Sequence, residues 1–183
     1  MTTTESAFAS IPQGDVRLLD TPLAQQLLVS AIPARLAYVA LDGTPRVVPT
    51  WFEWTGGEIV MATYLAGVAA GVRHPAARVA ALRANPSVAL TIDTSPPVWP
   101  PNALFVRGTA EVTIVDGVFP EYVEASRKVT PPEAFAEWET GVNALYDQMA
   151  RIDITPTWVK IHDFETRLPK AVADLAREKF GSG

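Results

Sequence analysis

The stretch Arg46-Val47-Val48-Pro49-Thr50-Trp51-Phe52-Glu53-Trp54 decides the fold. Its β-branched and aromatic residues read as one strand. Thr55-Gly56-Gly57 supplies a turn, and Glu58 to Tyr64 returns as the next strand. Pro49 interrupts the pattern. It has no N–H for a ladder, so it belongs at an edge, at a bulge, or where pairing opens. If pairing opens there, the N–H groups of Thr50 and Trp51 are free for an outside acceptor, because buried donors rarely stay unpaired.

Downstream, Arg73-His74-Pro75-Ala76-Ala77-Arg78 opens a helix that stops at Asn85-Pro86. Arg73, His74 and Arg78 crowd the end where the helix dipole is already positive, the wrong sign for stability. Free N–H groups point from the same end, and a phosphate would relieve both. An open strand edge beside a basic helix start suits a flat ring carrying a phosphate tail.

Upstream, Thr21 caps a helix with Pro22 at its first position, and Leu23, Leu27 and Leu28 form its apolar stripe. Residues 1 to about 20 read as a loose arm. Arg35 to Leu41 is a strand, and Asp42-Gly43 turns it into the central stretch, making a meander of three. Ser87 to Asp93 alternates as another strand. The prolines between Thr94 and Asn102 forbid a regular element around Trp99. Ala103 to Val115 is the longest strand pattern, and its small Gly108 and Ala110 suit a bend around a barrel. Two helices follow, Pro120 to Lys128 and Pro132 to Met149; Phe135, Trp138, Val142, Leu145 and Met149 stripe the second. Ala150 to Phe164 returns to strand with an interruption near Pro156, and Lys170 to Phe180 is a last helix. The sum is a mainly β domain spanning 1–183, a closed antiparallel barrel of six or seven strands with peripheral helices.

Composition narrows the function. The chain of 183 residues has no Cys, which excludes disulfides, thiol catalysis and Cys-ligated metals. Two His, His74 and His162, argue against a multi-His metal site within one chain. A net charge of −5 argues against broad nucleic-acid binding. No apolar run reaches membrane-spanning length, and Met1 to Ser6 lacks the pattern of a signal peptide. The expectation is a soluble cytoplasmic protein with no membrane partner. No nucleophile–base pair or carboxylate dyad is readable, so the catalytic residues stay unassigned.

The ordered series Arg46 to Trp54, Ala62-Thr63, Arg78-Val79 with Leu82-Arg83, and Asn85 to Thr91 resembles the pyridoxamine 5′-phosphate oxidase-like flavin-binding family. The resemblance covers Ala34 to Val115 and implies a split β-barrel of the FMN-binding type. It further implies a homodimer with FMN or a deazaflavin at the interface, acting as an oxidoreductase on a small-molecule substrate. By this resemblance the backbone of Arg46, Val47, Val48, Pro49, Thr50 and Trp51 lines the flavin ring. Ala62 and Thr63 stand near the ribityl phosphate, and Arg78 grips it. Arg73 and His74 are alternative phosphate contacts, and Trp99 is a candidate lid. The chain departs from the pattern at Ala76, where the family has Ser or Thr, and at Ala81, where it has Asn. The complete substrate set of true pyridoxamine-phosphate oxidases is absent. A non-enzymatic flavin or haem binder, or a cofactor store, is the remaining alternative.

Overall fold

The structure is a computed structural model and describes residues 11–65, 77–94, 100–164 and 170–181. Seven strands form one antiparallel sheet: β1 Ala34–Val39, β2 Pro45–Thr50, β3 Phe52–Trp54, β4 Ile59–Tyr64, β5 Ser87–Asp93, β6 Asn102–Asp116 and β7 Gln148–Asp163. Five α-helices surround it: α1 Pro22–Leu28, α2 Ala77–Ala84, α3 Pro120–Arg127, α4 Pro132–Leu145 and α5 Lys170–Phe180. The class is therefore the expected one, mainly β with peripheral helices.

The strand order is β2-β1-β5-β6-β7-β4-β3. The two ends of this order, β2 and β3, are consecutive in the chain and separated by Trp51 alone. One residue can join opposite ends of a sheet only if the sheet rolls up and brings its ends together. They meet without pairing, so the barrel is split along this line rather than closed.

This corrects the reading of Arg46 to Trp54 as one strand in a meander. The stretch breaks at Trp51: among the described residues β2 pairs with β1 alone, and β3 with β4 alone. Competition explains the break. A straight continuation would have to leave either Leu36 or Met61 without its neighbour, and both belong to the same buried core.

The expectation that pairing opens at Pro49 also fails. The β1–β2 register runs unbroken through Arg35↔Pro49 to Ala34↔Thr50. Ala40 N–H donates to the Thr44 carbonyl at 2.9 Å in the hairpin, which sets the alternation. Positions 44, 46, 48 and 50 turn their backbone groups toward β1; 45, 47 and 49 turn theirs to the other edge. Pro45 and Pro49 therefore sit where a missing donor removes no ladder bond, as edge-strand prolines do. The Thr50 N–H serves the ladder, and the outward-facing donor of β2 is that of Val47.

Inward side chains of every strand build the core, including Leu36, Ile59, Met61, Leu90, Ile92, Leu104, Val106, Ile152, Ile154, Val159 and Ile161. The cap at Thr21 forms as expected: its hydroxyl accepts from Ala24 N–H and α1 buries Leu27 and Leu28. Each such leucine contributes ~1.5–3 kcal/mol by leaving water. The first twenty residues are not wholly a loose arm. Val16–Asp20 is a 3₁₀ turn that buries Leu18 and Leu19, and Gln13 hydrogen-bonds both backbone groups of Ile161 at 2.9 Å.

Two further boundaries move. The helix expected to reach Met149 ends at Leu145, because Met149 and Ala150 are buried in β7. The interruption expected near Pro156 is a bulge: Arg107 pairs with Trp158 and Gly108 with Pro156, leaving Thr157 as the extra residue. Helix α3 covers the outer face of β3 and β4, and α4 packs on α3. Lys128 clamps β3 through the Glu53 carboxylate at 2.6 Å and the Phe52 carbonyl at 3.3 Å. Arg151 ties α3 to β7, reaching Glu121 at 2.9 Å and Asp153 at 2.8 Å. Among the described residues no helix is long and apolar enough to cross a membrane.

Candidate functional site

The split positions the site. Beyond Met61, the partner of Phe52, strand β4 continues through Ala62, Thr63 and Tyr64 with β7 on one side only. On the other wall, β2 turns its second edge away from β1. Two unpaired edges thus diverge from Trp51, one carrying residues 45–50 and the other 62–64. Trp51 stands at the apex, 45% exposed, and Val47 on the outer wall is 65% exposed.

Helix α2 puts a cation into this gap. Val79, Ala81 and Leu82 are buried on its core side, which fixes the helix and aims Arg78 at the barrel end. The Arg78 guanidinium donates a hydrogen bond to Thr63 Oγ1. Thr63 is itself buried, on the inward side of β4 with Ile59 and Met61. Burial lowers the Arg78 pKa, with Tyr38 and Tyr64 opposing that shift. Tyr38 lies opposite Arg46 in the register, so the β1–β2 wall meets the cation at its Arg46 end.

No carboxylate forms an ion pair with Arg78 among the described residues, whereas Arg17, Arg35, Arg46, Arg127, Arg151 and Arg177 each have one. A half-buried cation whose bond among the described residues is to a neutral hydroxyl bears a desolvation cost without a countercharge there. That is the electrostatic condition of an anion site. A phosphate or carboxylate arriving there gains charge-assisted hydrogen bonds from Arg78 and a donor from Thr63.

Of the residues expected at the site, Arg78 and Thr63 come into contact; Ala62 precedes Thr63 on β4, and Val47, Pro49, Thr50 and Trp51 lie along β2 and at its end. Val48 faces inward and packs against the core. Arg46 is held at the hairpin by Asp42 at 2.9 Å and by the Thr44 hydroxyl, so its guanidinium already has a counterion. Arg73, His74 and Trp99 lie outside the described residues. Ala81, at the position where Asn was expected, is buried in the core and offers the site nothing.

Sequence reasoning missed Tyr38, Tyr64 and Tyr146. Tyr64 stands at the end of β4, next to Thr63, and stacks on Tyr146 with ring centroids 5.9 Å apart and planes 23° from parallel. Tyr64 is 62% exposed. The signal available for Tyr64 was its place directly after Thr63. Nothing in the sequence pointed to Tyr146, which lies eighty-two positions away.

No family model matches the chain, and no curated protein matches it. Solved structures do. An F420 reductase is 26% identical, with a TM-score of 0.50, over 74% of this chain and 94% of that one. A conserved hypothetical protein from Mycobacterium tuberculosis is 17% identical with a TM-score of 0.55, covering 86% of this chain and 89% of its own. The haem storage protein HutZ from Vibrio cholerae is 16% identical with a TM-score of 0.51, over 77% and 92%.

Proposed function

Because the chain carries the split-barrel fold of the flavin and deazaflavin oxidoreductase superfamily, we propose that it is an oxidoreductase using a flavin-type cofactor, FMN or a deazaflavin. One observation carries the reading: Arg78 is half-buried, bonded to Thr63 on the end of β4 that β3 leaves unpaired, and without a carboxylate partner among the described residues. In this reading Arg78 and Thr63 hold the cofactor's phosphate. The edge of β2, with the Val47 N–H and the carbonyls of Val47 and Pro49, borders the ring. When bound, the cofactor supplies hydride or electron transfer, and the chain binds it, orients it and keeps water from one face.

A second copy of the chain supplies the other wall. The outer face of β1 and β2 carries Ala37, Val39, Pro45, Val47 and Pro49, a largely apolar set beside the split with the Arg35–Asp93 ion pair at one end. A homodimer burying more than about 1,000 Å² in total would cover it. The deazaflavin form has its own support in the likeness to an F420 reductase at 26% identity. Haem storage rests on the likeness to HutZ, which is a likeness of fold.

The test is titration of purified protein with FMN and with a deazaflavin cofactor, followed by absorbance and fluorescence, with light scattering for the dimer. Saturable binding of either supports the reading. Failure of both, with haem binding instead, overturns it.

A further inference from the structure

The free edge of β2 has a lopsided set of hydrogen-bonding groups. The Ala40–Thr44 bond and the β1–β2 register turn the backbone of Arg46, Val48 and Thr50 toward β1. The backbone of Pro45, Val47 and Pro49 therefore turns to the other edge. Strand β2 ends the strand order, so no strand pairs with that edge among the described residues. Pro45, Val47 and Pro49 are all exposed. An ordinary edge carries an N–H and a carbonyl at each outward position. Here proline removes the donor at both 45 and 49. The carbonyls of Pro45, Val47 and Pro49 remain as acceptors, and the Val47 N–H is the donor left on this edge of β2.

The prolines guard the edge against strand addition, since an incoming strand finds too few donors. They also fix what a small ligand must bring. An N–H on the ligand finds a carbonyl at each outward position. A ligand acceptor placed beside Pro45 or Pro49 faces a carbonyl lone pair, and it gives up its water without gaining a partner.

That asymmetry bears on redox state. In an oxidised flavin the ring nitrogen N5 is an acceptor. Two electrons and two protons convert it to the neutral reduced form, with one proton on N5 and one on N1, and N5 becomes an N–H donor. Resting on the cofactor reading above, we propose that the donor-poor edge of β2 selects the reduced, neutral flavin over the oxidised one, and that Pro45 and Pro49 set this preference. Neutrality follows from the same carbonyls, whose negative ends oppose a ring that has lost its N1 proton. Arg78 adds nothing to the discrimination, because the phosphate it would hold keeps its charge in both states.

Full-length protein is titrated with FMN, oxidised and then reduced by dithionite without oxygen, at mildly acidic pH. Reduced FMN should bind about three- to tenfold tighter, the worth of one neutral hydrogen bond. That ratio places the two-electron potential of bound FMN about 15–30 mV above that of free FMN, at about 30 mV per tenfold. The double variant Pro45→Ala, Pro49→Ala restores both donors and should bring the ratio down to about one. Circular dichroism verifies its fold, and Pro49→Ala alone, which should move the ratio part of the way, serves if the double variant does not fold. A deazaflavin has carbon in place of N5, so its ratio should be alike in the native chain and the variant. A native ratio at or below one, or a ratio that the variants leave unchanged, overturns the proposal and leaves the cofactor reading standing. Binding of a deazaflavin but not FMN does the same. Binding of neither overturns both.

Discussion

The barrel has a sealed side and an open side, and they handle the same problem in opposite ways. On the sealed side β6 and β7 pair along nearly their whole length, from Asn102↔Asp163 to Asp116↔Gln148, with one bulge at Gly108. Cations there are compensated: Arg151 has two carboxylates, and Arg107 lies 4.3 Å over the Trp158 ring. On the open side β2 and β4 leave edges unpaired, and Arg78 has a hydroxyl where a carboxylate would be the stabilising choice. On the proposed reading the sealed side carries stability and the open side carries the ligand, and substitutions should separate the two.

The largest effect on stability belongs to the sealed side. A methyl added at Gly108 would lie 2.6 Å from the Thr155 carbonyl oxygen and 2.8 Å from Ile154 Cγ2, and backbone cannot step aside as a side-chain tip can. Gly108→Ala should therefore cost about 3 kcal/mol, the upper range of overpacking. Urea denaturation measures it. A loss under about 1 kcal/mol would mean that the seam yields as readily as the split.

Arg78→Ala should do the reverse. It should weaken FMN binding about tenfold to a hundredfold, the loss of a charge-assisted contact of roughly 1.5–3 kcal/mol. Without ligand, its midpoint in urea should hardly fall, because the charge it removes is uncompensated. Fluorescence quenching gives the affinity. Equal affinity with lost stability would make Arg78 a structural residue and erase the contrast.

A smaller change tests the edge itself. Pro49→Ala restores an N–H that points into the split, away from β1. Stability should change by no more than about 1 kcal/mol, the range of proline's effect on the unfolded chain. A larger change would place Pro49 inside a ladder rather than on a free edge.

The sequence carried the strands and the cap at Thr21, because each has a local cause; the resemblance placed Thr63 and Arg78 separately near one phosphate, and their direct contact is the structure's addition. Alternation marks a strand, and Thr-Pro marks a helix start. The break at Trp51 was illegible for a physical reason. Apart from Pro49, residues 46–54 have the propensity of one strand, and the closure of the core between Leu36 and Met61 decides that the two halves pair with different neighbours. Pro49 was informative about an edge and misleading about which edge, since parity is set by the hairpin bond at Ala40 and Thr44. The Tyr64–Tyr146 contact depends on where a helical insertion docks. That docking rests on Lys128, Arg151 and their carboxylates, none of which forms a recognisable spacing. The basic residues Arg73 and His74, and Trp99, fall outside the described residues, so the site as described rests on Arg78.

The smallest effect is a pH dependence near neutrality, and it should come from the sealed side. Arg78 stays charged across the pH range where proteins are handled. His162 on β7 does titrate. It lies opposite Ala103, packs edge-on against Phe105 at 4.8 Å and faces Phe164 at 6.0 Å. Burial lowers its pKa, and Lys160 lowers it further. The unfolded chain therefore binds a proton at His162 more readily than the native one does. Its contribution to stability is present above the unfolded value of about 6.5 and is lost as pH falls through the lower native value. The midpoint in urea should decline modestly below pH about 6.5, and His162→Gln should remove that part of the slope while the carboxylate-driven part at lower pH remains. A slope unchanged by His162→Gln would show that the imidazole is solvated alike in both states. A slope abolished by Arg78→Ala would move the pH sensitivity to the split and reverse the assignment of the two sides.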